Sequence, residues 1–420
     1  MSFQQGLSGL NASSKNLEVI GNNIANSNTF GSKVSRAEFS DVYANALGGT
    51  GSNAIGIGTT LAAVSQQFTQ GSITATDNPI DLAISGAGFF QVTDGRSPTM
   101  YSRNGQFKVD RTGYIVNNDA LRLMGYPADS SGVIQPGNAT VLQLPTAGIN
   151  PRATTDVLIE MNLDSRVGIT APAVAPAIDF SDPTTYNNVT SLLVYDDKGQ
   201  DVALTYYFQK SATDTWNVFV AANGVPINGT LAAPLPSTTI NFPANGGTPT
   251  APVGSVALSI PASTNAAGAQ TLPITGIMLD LGGATQYGAG FGVTNLTQDG
   301  YAAGQLTGIT IEANGIITAR YSNGQTKPAG QIELATFRNV QGLQPLGGNA
   351  WAGTFASGDP IRGVAGEGNL GVLQAGALEE SNVDLTAELV AMITAQRVYQ
   401  ANAQTIKTQD QVLQTLVNLR

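Results

Sequence analysis

The stretch FQQGLSGLNASSKNLEVIGNNI, residues 3–24, carries apolar side chains at a spacing close to seven. The stretch LTAELVAMITAQRVYQANAQTIKTQDQVLQTL, residues 385–416, repeats the pattern at the far end of the chain. A repeat of seven keeps one face of a helix turned toward a partner along its length. We therefore predict a helix at each end and candidate assembly residues along both, named here the terminal stripes. The terminal stripes are Phe3, Leu7, Leu10, Leu17, Ile20 and Ile24, and Leu385, Leu389, Met392, Tyr399, Ile406, Leu413 and Leu416.

Between these ends the chain has short alternating apolar runs separated by glycine-containing turns, which is typical of antiparallel strands. One set lies at 80–116, a second at 190–220, and the first rhythm resumes at 308–337. This resumption predicts that a second β-domain interrupts the first. The predicted fold class is multidomain α+β, with N- and C-terminal helices forming a coiled-coil-like inner domain and two mainly antiparallel β-domains, the second inserted in the first.

Changes in composition give the predicted boundaries. The helical inner domain comprises 1–27 and 382–420, and linker or loop segments comprise 28–70 and 358–381. The first β-domain comprises 71–147 and 285–357, and the inserted outer β-domain comprises 148–284. A Gly-, Ser- and Asn-rich tract at 47–60 favours an extended linker, and Ser381-x-x-Asp384 is typical of a capping box at the start of the last helix.

The composition argues against several function classes. A net charge of −10 disfavours a nucleic-acid partner, because binding phosphates requires basic patches. The chain has no cysteine and no histidine, so thiolate catalysis, most zinc sites and the commonest general base are absent. No run approaches the ~18 apolar residues of a membrane span, and the start has no basic, then apolar, signal segment. We expect a protein without cofactor, metal site or membrane span, which is cytosolic or exported without a cleaved signal.

No catalytic constellation emerges from the remaining motifs. The GxGxxG match at 366–371 is not followed by a helix and indicates a loop. Asp196-Asp197 precedes Lys-Gly and indicates a solvated hairpin turn, and Glu379-Glu380 indicates charge at a helix start. Lys15, Lys33 and Lys407 lie among polar residues and show no sign of desolvation. The prediction is a protein that is not an enzyme.

Particular motifs at both ends resemble those of the bacterial flagellar rod and hook protein family. The matching positions are Asn22, Asn23, Ala25, Asn26 and Thr29 near the start, and Asn382 and Asp384 before the last helix. Internally, 78–84 and 101–105 are similar to segments shared by hook and distal rod proteins. The chain length and an inserted domain containing Trp216 favour the hook branch. One departure is Phe30, which precedes Gly31 where the family usually has an aromatic after the glycine.

The resemblance implies a structural subunit of the flagellar hook, a flexible helical tube that transmits torque from rod to filament and carries an export channel. It also implies an extracellular location and self-assembly. Further implied partners are the distal rod protein, the hook cap protein, the hook-filament junction protein and the flagellar type III export machinery. The uncharged polar back of the last helix suits a channel wall; it consists of Gln396, Asn402, Gln404, Gln411 and Gln414.

Three alternatives stay open at this point. The chain could be a distal rod subunit, which differs in length and in the curvature of its polymer. A secreted β-rich adhesin or glycan-acting protein would belong to another class. Finally, the terminal stripes could form a simple helical hairpin within one molecule instead of the inner layer of a tube.

Overall fold

The structure is a computed structural model that describes residues 2–42, 56, 58–171 and 177–418, with the side chains of residue 2 and residues 416–418 excepted. Most of the predicted linker at 47–60 and the side chain of Leu416 lie outside the described residues. The chain divides into two compact units. The first unit comprises Met1–Thr146, Gly308–Arg320 and Thr326–Arg420, and the second comprises Ala147–Thr307 and Tyr321–Gln325.

Both predicted terminal helices are present: α1 spans Ser2–Ala25 and α2 spans Leu385–Asn418. At 1.5 Å per residue, the 34 residues of α2 form a rod about 50 Å long. The start of α2 differs from the predicted capping box. Asp384 is the N-cap, because its Oδ1 accepts hydrogen bonds from the backbone N–H groups of Thr386 at 2.9 Å and Ala387 at 3.1 Å. The Ser381 hydroxyl instead accepts from the Val383 amide before the helix begins.

The strands fall into three groups along the chain. Those before residue 147 are β1 Ser35–Val42, β2 Gly58–Gln66, β3 Ile73–Ala75, β4 Leu82–Ser85, β5 Phe89–Thr93, β6 Met100–Ser102, β7 Lys108–Val109, β8 Ile115–Val116, β9 Arg122–Pro127 and β10 Thr140–Val141. Those of the second unit are β11 Asp156–Asp164, β12 Asn188–Tyr195, β13 Asp201–Ala212, β14 Thr215–Ala222, β15 Val225–Pro226, β16 Gly229–Thr230, β17 Ala233–Pro234, β18 Thr238–Asn241, β19 Val256–Ile260, β20 Ile274–Asp280, β21 Thr285–Tyr287 and β22 Gly292–Gln298. The remainder are β23 Leu306–Ile311, β24 Ile316–Tyr321, β25 Thr326–Thr336, β26 Gln344–Gly347, β27 Ala350–Ala352, β28 Ile361–Val364, β29 Val372–Ala375 and β30 Ala377–Glu379, with a 3₁₀ turn at Val340–Gly342.

The main sheet of the first unit has strands from both sides of the insertion. Its order is β23-β24-β25-β9-β5-β6-β27-β26, and β25 also pairs with β5 and β28. Alternation along β5 sends neighbouring rings to opposite faces. Phe90 packs into an aliphatic core with Leu123 and Leu334, whereas Phe89 packs into an aromatic cluster with Trp351.

The second unit has two five-stranded sheets whose buried faces share one apolar core. One sheet contains β19, β20, β11, β21 and β22, and the other contains β12, β13, β14, β15 and β18. Trp216 is fully buried in this core, and its Nε1–H donates to Oε1 of Gln286 at 2.8 Å. The arrangement satisfies the one polar atom of the indole inside the core.

The predicted domain division was wrong in two respects. The predicted end of the insertion at 284 is too early, because β21 and β22 both pair with β11 and the second unit continues to Thr307. The predicted linkers at 28–70 and 358–381 contain paired strands. β1 and β2 form an antiparallel hairpin, β28 pairs with β25, β29 with β4, and β30 with β3. Backbone pairing therefore orders segments whose small polar residues suggested linkers.

The candidate motifs also have defined places. Residues 366–371 form a turn between β28 and β29, closed by a hydrogen bond from the Gly366 amide to the Gly371 carbonyl. The turn prediction for Asp196-Asp197 is confirmed, but the prediction that it is solvated was wrong for Asp196. That side chain is fully buried and accepts from the amides of Lys198, Gln200 and Leu272, so it fixes the turn from inside.

Candidate assembly site: the helix pair and its junction with the β-body

The two terminal helices lie antiparallel against each other. Gly6 lies opposite Ile406, and Asn23 near the other end of α1 reaches Glu388. A Cβ on Gly6 would lie 3.1 Å from Cγ1 of Ile406, and one on Gly9 would lie 2.9 Å from the amide of Asn402. These glycines cost helix propensity, ~1 kcal/mol each, but they let the two backbones approach closely.

The seam between the helices overlaps the terminal stripes, because Ile406 of the stripes lies opposite Gly6. The buried residues of the two helices are Gly6, Ser13, Ile20 and Asn23 of α1 and Ala395 of α2. Of the stripes, Leu10, Leu17, Ile24, Met392 and Ile406 are half-buried, and Ile20 is buried; Phe3, Leu7, Leu385, Leu389, Tyr399 and Leu413 are exposed. The hairpin within one molecule therefore exists, yet it leaves six of the twelve described stripe side chains exposed.

The polar back of α2 is narrower than predicted. Gln396, Gln404, Gln411 and Gln414 are exposed, and at about 100° per residue they fall within an arc of about 80°. Asn402 is half-buried and faces Gly9 of α1. Its assignment to the channel-facing back was wrong, because it belongs to the seam.

Asn23 ties α1 to the first hairpin. Its Oδ1 accepts from the Ser35 amide at 2.9 Å, and its Nδ2 donates to the Ser35 carbonyl at 2.8 Å and to Oε1 of Glu388 at 3.2 Å. One side-chain amide thus satisfies the backbone groups at the start of β1 and contacts α2. Asn is suited to this position because it offers a donor and an acceptor on one short side chain.

Asn382 makes a second tie at the root of α2. Its Oδ1 accepts from the Val34 amide at 2.7 Å, and its Nδ2 donates to the Gln67 carbonyl at 2.8 Å and to Oγ1 of Thr69 at 2.7 Å. The segments that follow α1, follow β2 and precede α2 therefore converge on this one amide.

The other motif residues act locally at the exit of α1. Nδ2 of Asn26 donates to the carbonyl of Asn22 at 2.9 Å, and the Thr29 amide donates to the Asn26 carbonyl at 3.1 Å. Ala25 is the last residue of α1 and is exposed. Asn22, Asn26 and Thr29 thus close the helix end.

A buried ion cluster lies at the centre of the junction. Nζ of Lys33 is 2.6 Å from Oε1 of Glu379, and Nη1 of Arg103 is 3.1 Å from Oε2. The side chains of Lys33 and Glu379 have no exposed surface, and that of Arg103 is 5% exposed. Glu379 Oε1 also accepts from the Gly71 amide at 3.0 Å, and Lys33 donates to the Thr69 carbonyl at 2.8 Å.

Burial sets the proton affinities of this cluster. Desolvation lowers the pKa of the Lys33 ammonium below its ordinary value, opposed by the charge of Glu379. Burial likewise lowers the pKa of the Arg103 guanidinium, with the same carboxylate acting against the shift. The expectation that Lys33 shows no desolvation was therefore wrong. Glu379 is a buried counter-ion at the end of β30 and not a charge at the start of a helix.

Sequence reasoning missed this cluster for a physical reason. Lys33 and Glu379 are 346 positions apart, so no local spacing connects them. The only signals were indirect: Lys33 follows the first family motif, Glu379 precedes the second, and Arg103 lies within 101–105. These three residues lie together where both helices meet the β-body.

Within the described ranges, no group of His, Cys, Asp or Glu residues is placed to hold a metal ion. No described helix is long and apolar enough to cross a membrane. The candidate site therefore consists of packing surfaces and a polar junction.

Comparisons with known families match four segments of the chain. The model described as flagella basal body rod protein matches residues 3–33, and that described as flagellar hook protein FlgE/F/G D1 domain matches 83–165. The model described as flagellar basal body protein FlaE D2 domain matches 162–301, and that described as flagellar basal body rod FlgEFG protein C-terminal matches 374–419. The chain is thus of the class that builds the axial rod and hook of bacterial flagella.

Curated relatives narrow the class. The chain is 42% identical to the flagellar hook protein FlgE of Escherichia coli (strain K12) over 422 residues, covering 100% of both chains. It is 40% identical to the flagellar hook protein FlgE of Salmonella typhimurium (strain LT2), again covering 100% of both. The chain belongs to the flagellar hook protein family, a structural component of the extracellular flagellum. The distal rod and adhesin alternatives are set aside by these full-length matches.

A solved structure agrees at the level of the fold. The crystal structure of Helicobacter pylori flagellar hook protein FlgE2 has a TM-score of 0.52 and 16% identity, covering 73% of this chain and 99% of that chain. The likeness supports the β-rich architecture.

Proposed function

We propose that copies of this chain assemble into the hook tube through the exposed parts of the terminal stripes. The observation that carries this proposal is the apolar surface left beside the α1–α2 seam. Phe3 and Leu389 are each 45% exposed, and Leu413 is 49% exposed. Exposed apolar side chains along both helices mark a candidate interaction surface, and a tube requires contacts between different surfaces of successive copies.

The exposed back of α2 supports a channel lining. Gln396, Gln404, Gln411 and Gln414 offer hydrogen-bonding groups without charge. The same arc also holds exposed Leu389, Ile393 and Lys407, so glutamine amides would be the commonest but not the sole groups of such a lining. In this proposal the stripe residues outside that arc face neighbouring copies, and the glutamine face lines the lumen.

The composition supports a passive, torque-transmitting role. Only 11% of residues are charged, so contacts between outer surfaces would rest on weak polar interactions that exchange with water as a tube bends. We also propose that the chain itself is not an enzyme. Its proposed partners are its own copies, the distal rod protein, the hook cap protein, the hook-filament junction protein and the type III export machinery.

One substitution tests the assembly role of the stripe. Leu413→Asp places a charge on an exposed apolar position of α2 outside the glutamine arc, so it should block polymerisation while the protein keeps its β-sheet circular dichroism. Gln404→Asp is the matched control, because it adds the same charge to the exposed polar face. Electron microscopy of concentrated protein gives the readout. Normal tubes from Leu413→Asp would refute the stripe as a packing surface.

A further inference from the structure

Phe355 is the most exposed large apolar side chain among the described residues, at 105% of its reference surface. It lies in the loop between β27 and β28. A single exposed hydrophobic residue needs no explanation in itself. The construction of the loop around this ring is the informative observation.

The loop that presents Phe355 is fixed on both sides of the ring. Oγ1 of Thr354 donates to the Gly342 carbonyl at 2.5 Å and accepts from the Ala356 amide at 3.2 Å. Oγ of Ser357 donates to the Thr354 carbonyl at 2.8 Å and accepts from the Thr354 amide at 2.9 Å. Gly342 approaches so closely that a Cβ there would lie 2.5 Å from the carbonyl carbon of Ala356. The backbone at Phe355 is therefore fixed, so little backbone freedom would be lost on binding.

A groove of about 690 Å³ lies elsewhere on the same unit, between the β1–β2 hairpin and the 3₁₀ turn. Its apolar lining includes Val64, Phe68 and Val340, and Arg36 and Glu38 lie along it. The Arg36 side chain is 65% exposed, and its Nη2 is 2.9 Å from Oε1 of Glu38. An apolar lining with an accessible guanidinium suits an aromatic ring, which gains from both burial and the cation.

The ring and the groove share one framework. Asn339 caps the 3₁₀ turn whose residue Val340 lines the groove, and its Nδ2 donates to the Ala356 carbonyl at 3.0 Å beside Phe355. A contact between the ring of one copy and the groove of the next would therefore repeat with a constant offset. Contacts between two different surfaces propagate from copy to copy without closing.

We propose that Phe355 of one copy inserts into the groove beside Val64, Phe68 and Arg36 of a neighbouring copy. This contact rests on the proposed self-assembly and assigns it a pair of surfaces in the β-body. A second depression of about 850 Å³ also borders Phe355, with Leu346 on its lining. A ring from a neighbour would have to enter that depression beside the copy's own Phe355, so the groove is the better receptor.

Cysteine cross-linking tests the contact cleanly because the chain has no cysteine of its own. One variant carries Ala356→Cys, which keeps the Phe355 ring, and the other carries Ala63→Cys on the groove lining. The two are co-assembled and oxidised, and dimers are scored on a non-reducing gel. We expect a disulfide-linked dimer only in the mixture. Thr60→Cys, exposed on the same strand and outside the groove lining, replaces Ala63→Cys as the control and should give no dimer.

Other outcomes overturn the proposal. Tubes that form without the cross-link refute the contact and leave self-assembly intact, whereas failure of the unmodified chain to form tubes refutes both. A dimer from Ala356→Cys alone, or one formed with Leu346→Cys in the mixture, would identify a different contact surface. As a second measurement, Phe355→Ala should raise the critical concentration for assembly about tenfold. Leu346→Ala, also exposed, should leave it unchanged.

Discussion

Lys33 and Glu379 form an ion pair in which neither side chain has exposed surface, with 2.6 Å between Nζ and Oε1. Lys33 follows the exit of α1, and Glu379 ends the last strand before α2. The pair therefore joins the roots of both terminal helices. Arg103 supplies a second cation from the β-body, so three distant segments of the chain share one carboxylate.

Removing the carboxylate should destabilise the first unit strongly. Glu379→Gln leaves two buried cations without their counter-ion, and breaking a buried pair from one side costs about 3–5 kcal/mol. Urea unfolding followed by circular dichroism measures the loss. Glu380→Gln is the control, since the adjacent residue is exposed and the same change there should have little effect. Equal stability of the two variants would contradict the cluster's role.

Asn23 should control the order of the first hairpin. Asn23→Asp keeps the acceptor for the Ser35 amide but loses the donor to the Ser35 carbonyl, and it places a charge beside Glu388. Hydrogen exchange at the amides of β1 should accelerate, because its first residue loses an anchor. Asn22→Asp is the control, because Asn22 is exposed and the same change there should leave the exchange unchanged. Unchanged protection in Asn23→Asp would show that the hairpin does not depend on this amide.

The glycines of α1 should differ sharply in their tolerance of side chains. Gly9→Leu forces a side chain against Asn402 of α2 and should separate the helix pair, lowering the helical signal in circular dichroism. A Cβ on Gly21 meets nothing within 4 Å, so Gly21→Leu should be neutral or stabilising by up to about 1 kcal/mol. A greater loss of helical signal in Gly21→Leu than in Gly9→Leu would rule out close approach of the helices at Gly9.

High pH should weaken the first unit partly through Tyr126. Burial, together with its hydrogen bond to Glu333, raises the pKa of Tyr126 to about 12, above its ordinary value of about 10. The unfolded chain loses this proton first, so the stability that the group contributes is complete below pH 10 and is lost as the pH rises toward about 12. Unfolding midpoints measured across that range should fall less in Tyr126→Phe than in the parent chain. If the parent chain and Tyr126→Phe lose stability equally with rising pH, Tyr126 does not contribute to that loss.

Local patterns predicted most of the elements, and contacts between distant segments decided the rest. Seven-residue spacing indicated both helices, and alternation indicated strands such as β13 and β25. The stripe was visible in the sequence, but the part of the seam at Gly9 and Asn402 was not, because neither residue carries an apolar signal. Asn23 and Asn382 were predicted only as family motif positions. Their hydrogen bonds to distant backbone groups could not be predicted, because the fold alone brings those groups together. Glycine-rich composition suggested linkers at 358–381, where pairing with β3, β4 and β25 makes strands.

The junction also determines how a mechanical load would pass through the molecule. A pull on α1 or α2 reaches the β-body through the Glu379 ion cluster and the amides of Asn23 and Asn382 at the same time. Bonds arranged side by side must be sheared together, whereas bonds arranged in series can be unzipped one after another. The roots of the helices are therefore built as a shear joint, in which resistance comes from simultaneous rupture and not from the strength of any single bond.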